Sequence, residues 1–378
     1  MNRRQFLYLI IALVVLGGVG LALVWRDVAD YRASGAKIGA KLLPDFRIAD
    51  VAEVRLQDSK HQVTLARKEK NWEVRERGGY PASFQEISDL MIKLAELKVT
   101  QSEQVGAALW PRIDLADSGK GAGSGTRVEF KDGSGKVLAS LVLGKKVLKK
   151  DPLNPLPAAK DGVPAGRYVR VASAKDAVVV VSDPLGKADA DPGKWLSREF
   201  FKVDRIRTLT VGPEGGAPHW KITRAEEWGQ WKFAAGGGDL NPGAAVAAVN
   251  KLGQLAFSDI AVDPKAEATE MPMVVTAETF DNLVYTLKLA KRSKGEDTLV
   301  TFTVTGEPPK SRVAEKGEKA DQKERREKEF AESRKRLEGR VAFEKVLGQW
   351  TYVIAKGELE PLLRSRSDMV APKRDKKG

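Results

Sequence analysis

The side chains that most often carry out chemistry in proteins are scarce in this chain of 378 residues. It has two histidines, His61 and His219, and no cysteine. Thiol chemistry and thiolate metal sites are therefore excluded, and little material is left for histidine-based catalysis or zinc binding. Carboxylates are abundant, but no pair has a spacing that singles it out for acid–base work. We predict no catalytic, cofactor-binding or metal-binding residue, and hence a non-enzymatic protein.

Motifs for nucleophilic or phosphate chemistry are also missing from the sequence. It has no Gly-x-Ser-x-Gly elbow. The glycine-rich residues 119–125 and 236–238 lack the Lys-Ser or Lys-Thr pair of a phosphate-binding loop. A Ser–Lys dyad stays open, because its partners need not be neighbours in sequence. An enzyme of unrecognised type is therefore kept as an alternative.

The elements that would position a site are encoded twice. Residues 51–97 contain three short alternating segments and one helix-spaced segment, and the same order returns in residues 206–255. Alternation predicts strands with one buried face, and the 3.6-residue spacing predicts an amphipathic helix. Ser83, with Glu86 three residues on, predicts a capping box for the first helix, which ends near Val99. The predicted strands are 53–56, 62–65 and 71–74 in the first copy and 206–211, 220–222 and 231–233 in the second.

The repeat extends beyond the helix. An Asp-Gly turn at 132–133 predicts a hairpin between strands 126–130 and 137–143, and the second strand is predicted to end at 144–146. Pro81 is predicted to stop strand pairing. Residues 151–166, which hold four prolines, are predicted to form a loop. Further strands are predicted at 168–171 and 178–181, and the corresponding residues of the second copy are 277–282, 284–289, 299–304 and 351–354.

Trp72 and Trp231 occupy equal positions in the two copies. Stacking on sugar rings is one interpretation of this repetition. Tryptophan at a repeated, inward-facing position is more typical of a hydrophobic core, and we predict a core position for both residues.

The copies differ where the second inserts residues 306–349. Residues 318–338 lack glycine and proline and carry opposite charges four residues apart, which predicts a helix. A solvated helix or hairpin projecting from the sheet is one interpretation, and a contact arm for a partner protein is the other. Because the repeated residues are those that packing requires, we predict that function lies in this insertion and in the proline-rich loop after Lys150.

A membrane anchor is predicted at the amino terminus. Phe6 to Trp25 is a run of 20 uncharged residues, and at ~1.5 Å per residue such a helix crosses ~30 Å of hydrocarbon. Arg3 and Arg4 precede the run and, by the positive-inside tendency, hold the N-terminus in the cytoplasm. We predict an uncleaved single-pass anchor in the bacterial cytoplasmic membrane, with the rest of the chain extracytoplasmic. A cleaved signal peptide and export by the twin-arginine route are the alternatives.

The formal net charge of +13 invites a nucleic-acid partner. A location outside the cytoplasm argues against that partner, and we predict none. Part of the charge lies in the basic tail that begins at Arg364. A solvated tail and contact with anionic lipid headgroups are the two interpretations of this segment.

Several short segments together resemble a known family. After the N-terminal span come DVAEVRL at 50–56, NWEV at 71–74, GYPA at 79–82, LAEL at 94–97 and LVLGK at 141–145. Over roughly residues 42–363, the chain resembles the bacterial family catalogued as domain of unknown function 4340. The resemblance implies a membrane-anchored extracytoplasmic protein with an accessory role beside ABC-type export or gliding-motility transporter components. The family has no accepted catalytic residues to carry over, and the charged insertion is longer than its basic pattern.

We therefore predict an α+β fold. An N-terminal transmembrane helix precedes two tandem, duplicated modules of mainly antiparallel strands with one main helix each, and the second module carries a charged helical insertion. The predicted function is a scaffold or accessory protein beside an ABC-type permease or accessory subunit. An envelope-polymer or anionic-lipid binding module is the alternative. The predicted boundaries are an anchor at 1–27, a spacer at 28–45, modules at 46–199 and 200–368 with the insertion at about 307–349, and a disordered basic tail at 369–378.

Overall fold

A computed structural model describes residues 37–103, 105–117, 121–149, 162–171, 177–269, 272–313 and 318–372. The chain divides into two compact units between Trp195 and Leu196. Each unit contains one large antiparallel sheet and few helices, so the predicted α+β class is confirmed.

The first unit is built on a nine-stranded sheet with the order β4-β3-β2-β1-β6-β7-β8-β9-β5. Helix α1 spans Phe84–Glu96. Short 3-10 helices lie at Ile48–Asp50, Arg75–Arg77, Ala107–Ile113 and Pro192–Trp195. The strands are β1 Glu53–Gln57, β2 Gln62–Lys68, β3 Asn71–Val74, β4 Tyr80–Pro81, β5 Val99–Glu103, β6 Thr126–Lys131, β7 Val137–Lys149, β8 Val163–Val171 and β9 Val178–Val181.

The second unit has an eight-stranded sheet with the order β12-β11-β10-β14-β15-β16-β17-β13. This order matches the first sheet strand by strand, except that no strand among the described residues corresponds to the edge strand β4. Helices are α2 Pro242–Gly253, α3 Pro264–Glu267, α4 Ala320–Leu347 and α5 Lys356–Leu359, with a 3-10 helix at Ser367–Met369. The strands are β10 Ile206–Pro213, β11 Trp220–Thr223, β12 Lys232–Phe233, β13 Asp259–Ile260, β14 Met273–Thr279, β15 Leu283–Lys291, β16 Thr298–Gly306 and β17 Tyr352–Ile354.

The predicted start of α1 is confirmed, although the capping box forms only in part. Ser83 Oγ accepts a hydrogen bond from the Glu86 N–H over 3.4 Å. The reciprocal bond is replaced, because the Ser83 N–H donates to the Trp195 carbonyl over 2.7 Å. The Glu86 carboxylate instead lies 2.8 Å from Lys187 Nζ. Contacts with Trp195 and Lys187, which are distant in sequence, therefore replace one of the two hydrogen bonds of the capping box.

Four predicted element boundaries in the first unit differ from the structure. Pro81 does not stop pairing but lies in β4 opposite Glu73, which an edge strand permits because only its outer N–H is lost. The helix ends at Glu96, three residues before the predicted end near Val99, and Val99 begins β5. Strand β7 continues through the predicted end at 144–146, and β8 begins at Val163 inside the predicted loop. Strands β7 and β8 pair with each other as far as Lys149 and Val163. The residue pattern of either strand alone does not predict this pairing. Residues 150–161 of that loop lie outside the described residues.

The two equivalent tryptophans have different environments. Trp72 is 5% exposed, so its predicted core position is confirmed. Trp231 is only partly buried, so the same prediction is wrong for it. The reason is that β12 has two residues and lies at the sheet edge, and Trp231 precedes it.

Candidate interaction surface

The connection after β16 is where the second unit departs from the first. Strands β8 and β9 are joined by residues 172–177, whereas β16 and β17 are joined by residues 307–351, which include α4. Gly306 ends β16 with φ +94°, and a Cβ there would lie 2.1 Å from the carbonyl oxygen of Asn282. The insertion therefore begins at a close backbone approach that only glycine permits.

The C-terminal part of α4 is anchored in the core of the second unit. Val341 and Leu347 are 5% and 1% exposed, and Glu344 lies between them at helical spacing and is 1% exposed. The Tyr285 hydroxyl, on β15, donates a hydrogen bond to Glu344 Oε2 over 2.7 Å. The Lys202 N–H donates to Glu344 Oε1 over 3.1 Å. These donors satisfy the buried carboxylate and fix the position of α4 on the sheet.

Burial governs the ionisation of this pair. Burial raises the pKa of Glu344, and hydrogen bonds from Tyr285 and Lys202 partly offset the rise. Burial and the bond to Glu344 also raise the pKa of the Tyr285 hydroxyl above 10.0. Perturbed pKa values accompany acid–base catalysis in many sites. Glu344 is 1% exposed, however, so a substrate in solution does not reach it, and its role here is to position a helix.

Ion pairs connect α4 to the loop between β11 and β12. Arg340 Nη1 on α4 lies 2.7 Å from Asp204 Oδ2. The next residue, Arg205, donates to both carboxylate oxygens of Glu227, each over 2.9 Å. Arg205 also pairs with Asp281. Because a bidentate guanidinium–carboxylate pair fixes orientation as well as distance, the loop is tied to the same corner of the unit as α4.

Trp228 projects from this braced loop. Its side chain is 92% exposed. The guanidinium carbon of Arg224 lies 4.7 Å from the ring centroid of Trp231 and 5.6 Å from that of Phe280. Tryptophan and arginine are enriched among the residues that dominate the energetics of protein interfaces. We call Trp228, Trp231, Arg224 and Phe280, together with the exposed residues of α4, the contact surface.

A second charged cluster links the N-terminal end of α4 to the residues that precede it in the insertion. The Glu318 side chain, just before the helix, is 6% exposed and accepts hydrogen bonds from Arg312 and Arg326, each over 2.7 Å to Oε1. The hydrogen bond from Arg312 is the main cause that lowers the pKa of Glu318 to about 2. Glu318 is therefore ionised at neutral pH. Between this cluster and the anchored C-terminal part, residues 327–338 are mostly exposed and carry both signs of charge.

The charged helix predicted at 318–338 is confirmed, but it is longer than predicted and ends at Leu347. Opposite charges four residues apart support it at Arg325–Glu329 and Arg334–Glu338, with Nε–Oε1 distances of 3.4 and 2.8 Å. The interpretation as a solvated helix is incomplete, because Val341, Glu344 and Leu347 on one face of its last two turns are buried.

His61 and His219 each lie apart from any cluster of metal-ligating side chains among the described residues. They lie in different units, and both are exposed. In the described ranges, no three His, Asp or Glu side chains are grouped in a way that could hold a metal ion.

The predicted membrane anchor lies outside the described residues. Phe6, Trp25 and the flanking Arg3 and Arg4 all fall within residues 1–36. Across the part of the chain that the structure describes, none of the helices is both long and apolar enough to span a bilayer. Comparison of the chain with protein-family models, curated proteins and solved structures finds no match. The family resemblance therefore stays a prediction.

Sequence reasoning missed Trp228 and Glu344. The signal for Glu344 is its position three residues after Val341 and three before Leu347, which places a carboxylate on the apolar face of the helix. The signal for Trp228 is that it stands between a glutamate and a glycine, outside any alternating segment.

Proposed function

We propose that this protein is a non-enzymatic, single-pass membrane protein that acts outside the cytoplasm. Residues Phe6 to Trp25 form its anchor, and Arg3 and Arg4 hold the N-terminus in the cytoplasm. The two units arose by duplication, and the second uses its contact surface to bind an integral membrane partner. That partner is an ABC-type permease or an accessory subunit, so that the protein is a scaffold or accessory element of a transporter complex.

The observation that carries the proposal is the exposure of Trp228 on a braced loop. The side chain is 92% exposed, while the neighbouring Glu227 is fixed by two bonds to Arg205. Burying ~150–250 Å² of aromatic surface at ~25 cal/mol/Å² contributes roughly 4–6 kcal/mol before the costs of association. A loop already held in place loses little conformational freedom when a partner covers it.

The composition of α4 supports a protein partner for the same surface. Its exposed middle carries both signs of charge, as at Arg325 and Glu329, so it is complementary to a mixed polar rim rather than to one sign of charge. Glu344 anchors the C-terminal end of α4 in the core of the unit, and the Glu318 cluster links the start of the helix to the preceding residues of the insertion. The strand order shared by the two sheets supports the duplication.

A second candidate function is binding of envelope polymer or anionic lipid. The net charge of +13 and the exposed indole of Trp228 favour it. This candidate predicts that the detergent-solubilised full chain sediments with cell wall at low salt and is released at high salt, because salt screens exposed charges. No sedimentation at low salt would remove it.

Crosslinking in membranes followed by purification in detergent tests the first candidate. Wild type should recover a discrete integral membrane partner, and Trp228→Ser should lose it because the central apolar contact is gone. Phe84→Ser, which changes a 64% exposed aromatic residue in the first unit, is the matched control and should recover the partner as wild type does. Recovery of the protein alone from wild-type membranes would count against the proposal.

A further inference from the structure

The outer face of the first sheet holds four polar residues at its centre. On β1 and β6 the core positions, such as Val54 and Phe130, are 0% exposed, and side chains alternate between faces along a strand. The residues on the opposite face line an open pocket of about 240 Å³. Register places Arg55 opposite Glu129 and Gln57 opposite Arg127, which completes a square of four polar side chains. We call this square the arginine pocket.

Neighbouring side chains hold Arg55 in place. Its Nη2 donates to Gln62 Oε1 over 2.6 Å. The Gln62 amide in turn donates to Glu76 Oε1 over 3.4 Å, and Glu76 Oε2 accepts from the Thr64 N–H over 2.7 Å. This chain of bonds runs back to the backbone of β2. The guanidinium is therefore preorganised on a central strand of the sheet.

Arg127 is held in a similar way by two carboxylates. Its Nη2 donates to Asp117 Oδ1 over 3.1 Å, and its Nη1 lies 3.6 Å from Glu129 Oε1. The hydrogen bond from Arg170 is the main cause that lowers the pKa of Asp117, with Arg127 contributing. Asp117 is thus ionised and shared between two guanidinium groups. The pocket itself is lined by two arginines and one carboxylate.

Arg55 has a donor that the protein does not use. Among the described residues, no acceptor lies within hydrogen-bond distance of Arg55 Nε, although that atom is buried. Buried donors in folded proteins nearly always have a partner, which is often a water or a bound ion. The Arg55 guanidinium, which lines the pocket, therefore carries a donor that its protein neighbours leave unsatisfied.

The second unit shows that the scaffold does not require these charges. Leu56 pairs with Val128 in the first sheet as Val211 pairs with Val275 in the second, so the two registers can be superimposed. The positions of the arginine pocket then fall on Thr210, Gly212, Val274 and Thr276. The same strand order is built there without a charged residue at any of the four positions. The charges of the first unit therefore have a reason other than sheet formation.

We propose that the arginine pocket binds the anionic group, a carboxylate or a phosphate, of a small polar molecule. Guanidinium groups donate paired hydrogen bonds that match the oxygens of both anions. Arg55 and Arg127 bind the anion, and Glu129 with Gln57 bind an adjoining hydroxyl group. The pocket is smaller than the ~300–1,000 Å³ of sites for drug-sized ligands, so its occupant is a single small group. This site lies in the first unit and is independent of the contact surface.

Calorimetry on the detergent-solubilised full chain tests the inference with three probes. Inorganic phosphate and glucuronate represent the two sources of the anion, and glucose is the neutral control. We expect saturable binding of at least one anion and none of glucose. Arg55→Gln and Arg127→Gln should each weaken binding at least tenfold, a factor equivalent to ~1.4 kcal/mol. Arg47→Gln, which changes an exposed arginine (76% of its side chain) that does not line the pocket, should bind as wild type does.

A second variant guards against loss of folding in the arginine substitutions. Gln57→Glu keeps both guanidinium groups and adds a negative charge, and it should weaken anion binding while circular dichroism stays that of wild type. Binding of phosphate alone or of glucuronate alone assigns the source of the anion. The proposal is overturned if neither anion binds saturably at low ionic strength, or if folded Arg55→Gln and Gln57→Glu bind as tightly as wild type.

Discussion

The hydroxyl of Tyr285 and the carboxylate of Glu344 lie 2.7 Å apart where the inserted helix meets the second sheet. Tyr285 lies on β15, which has β7 as its counterpart in the first unit. Glu344 lies on α4, which has no counterpart among the described residues of the first unit. Both side chains are buried. Through this bond the insertion becomes part of the folded unit, and the contact surface gains a fixed position.

Replacement of Glu344 by Gln should flatten the pH dependence of stability. Because the pKa of Glu344 is raised above its ordinary value of 4.5, the folded state keeps a proton that the unfolded state releases. Stability of wild type must therefore fall as pH rises from 4.5 through the raised pKa. Urea unfolding at a series of pH values measures this slope. Glu329→Gln, at an exposed position of α4, should keep the wild-type slope, and an unchanged slope in Glu344→Gln would contradict the account.

Replacement of Tyr285 by Phe should remove one donor from a buried carboxylate. The expected cost is ~1–3 kcal/mol in the free energy of unfolding. Wild type should also lose stability as pH rises above 10.0 through the raised pKa of Tyr285, and the variant should lack this loss. A double-mutant cycle with Glu344→Leu, which removes the acceptor, measures the coupling. Additive effects of the two substitutions would show that the bond does not link helix and sheet.

Two glycines of the inserted region should respond to alanine with opposite signs. Gly306→Ala forces a Cβ against the Asn282 carbonyl oxygen at a φ of +94°, and should cost about 2 kcal/mol or more. Gly339 lies within α4, and nothing lies within 4 Å of a Cβ there. Gly339→Ala should therefore stabilise the helix by ~0.5–1 kcal/mol. Thermal unfolding of the two variants checks both signs, and destabilisation by Gly339→Ala would argue against an open helix face.

The cluster at the start of α4 should persist in mild acid. The pKa of Glu318 is lowered to about 2, so its pairing with Arg312 is fully present above 4.5 and is lost as pH falls through about 2. The carboxyl carbon shift of Glu318, followed by NMR during an acid titration, measures this value. Arg312→Gln should move the midpoint upward. A wild-type midpoint near 4.5 would mean that the cluster does not form in solution.

Much of the fold could be predicted because alternation is a local signal. The alternation of Val54 and Leu56 predicts β1, and the same pattern predicts its counterpart β10. The strands that were missed depend on distant partners instead. Val99 to Glu103 forms β5 only by pairing with β9, and Pro81 joins the sheet only because it falls at the edge. Their own residues carry little alternation.

The candidate sites were harder to predict, because they depend on where tertiary packing places single side chains. Trp72 and Trp231 have equal positions in the repeat. Trp231 is nevertheless partly exposed, because the strand that follows it, β12, lies at the edge of its sheet. Trp228, which carries no repeat signal, is the exposed one. Arg55 and Arg127 come together only through the pairing of β1 with β6.

Site-specific photo-crosslinking tests the central claim most directly. A photoreactive residue is placed at position 228 of the full chain, and in a second variant at position 84 as the exposed control in the first unit. Illumination of membranes should yield a discrete adduct with an integral transport protein from position 228 and not from position 84. The contact surface as an interface with a membrane partner is contradicted if position 228 gives no protein adduct, or gives the same adducts as position 84.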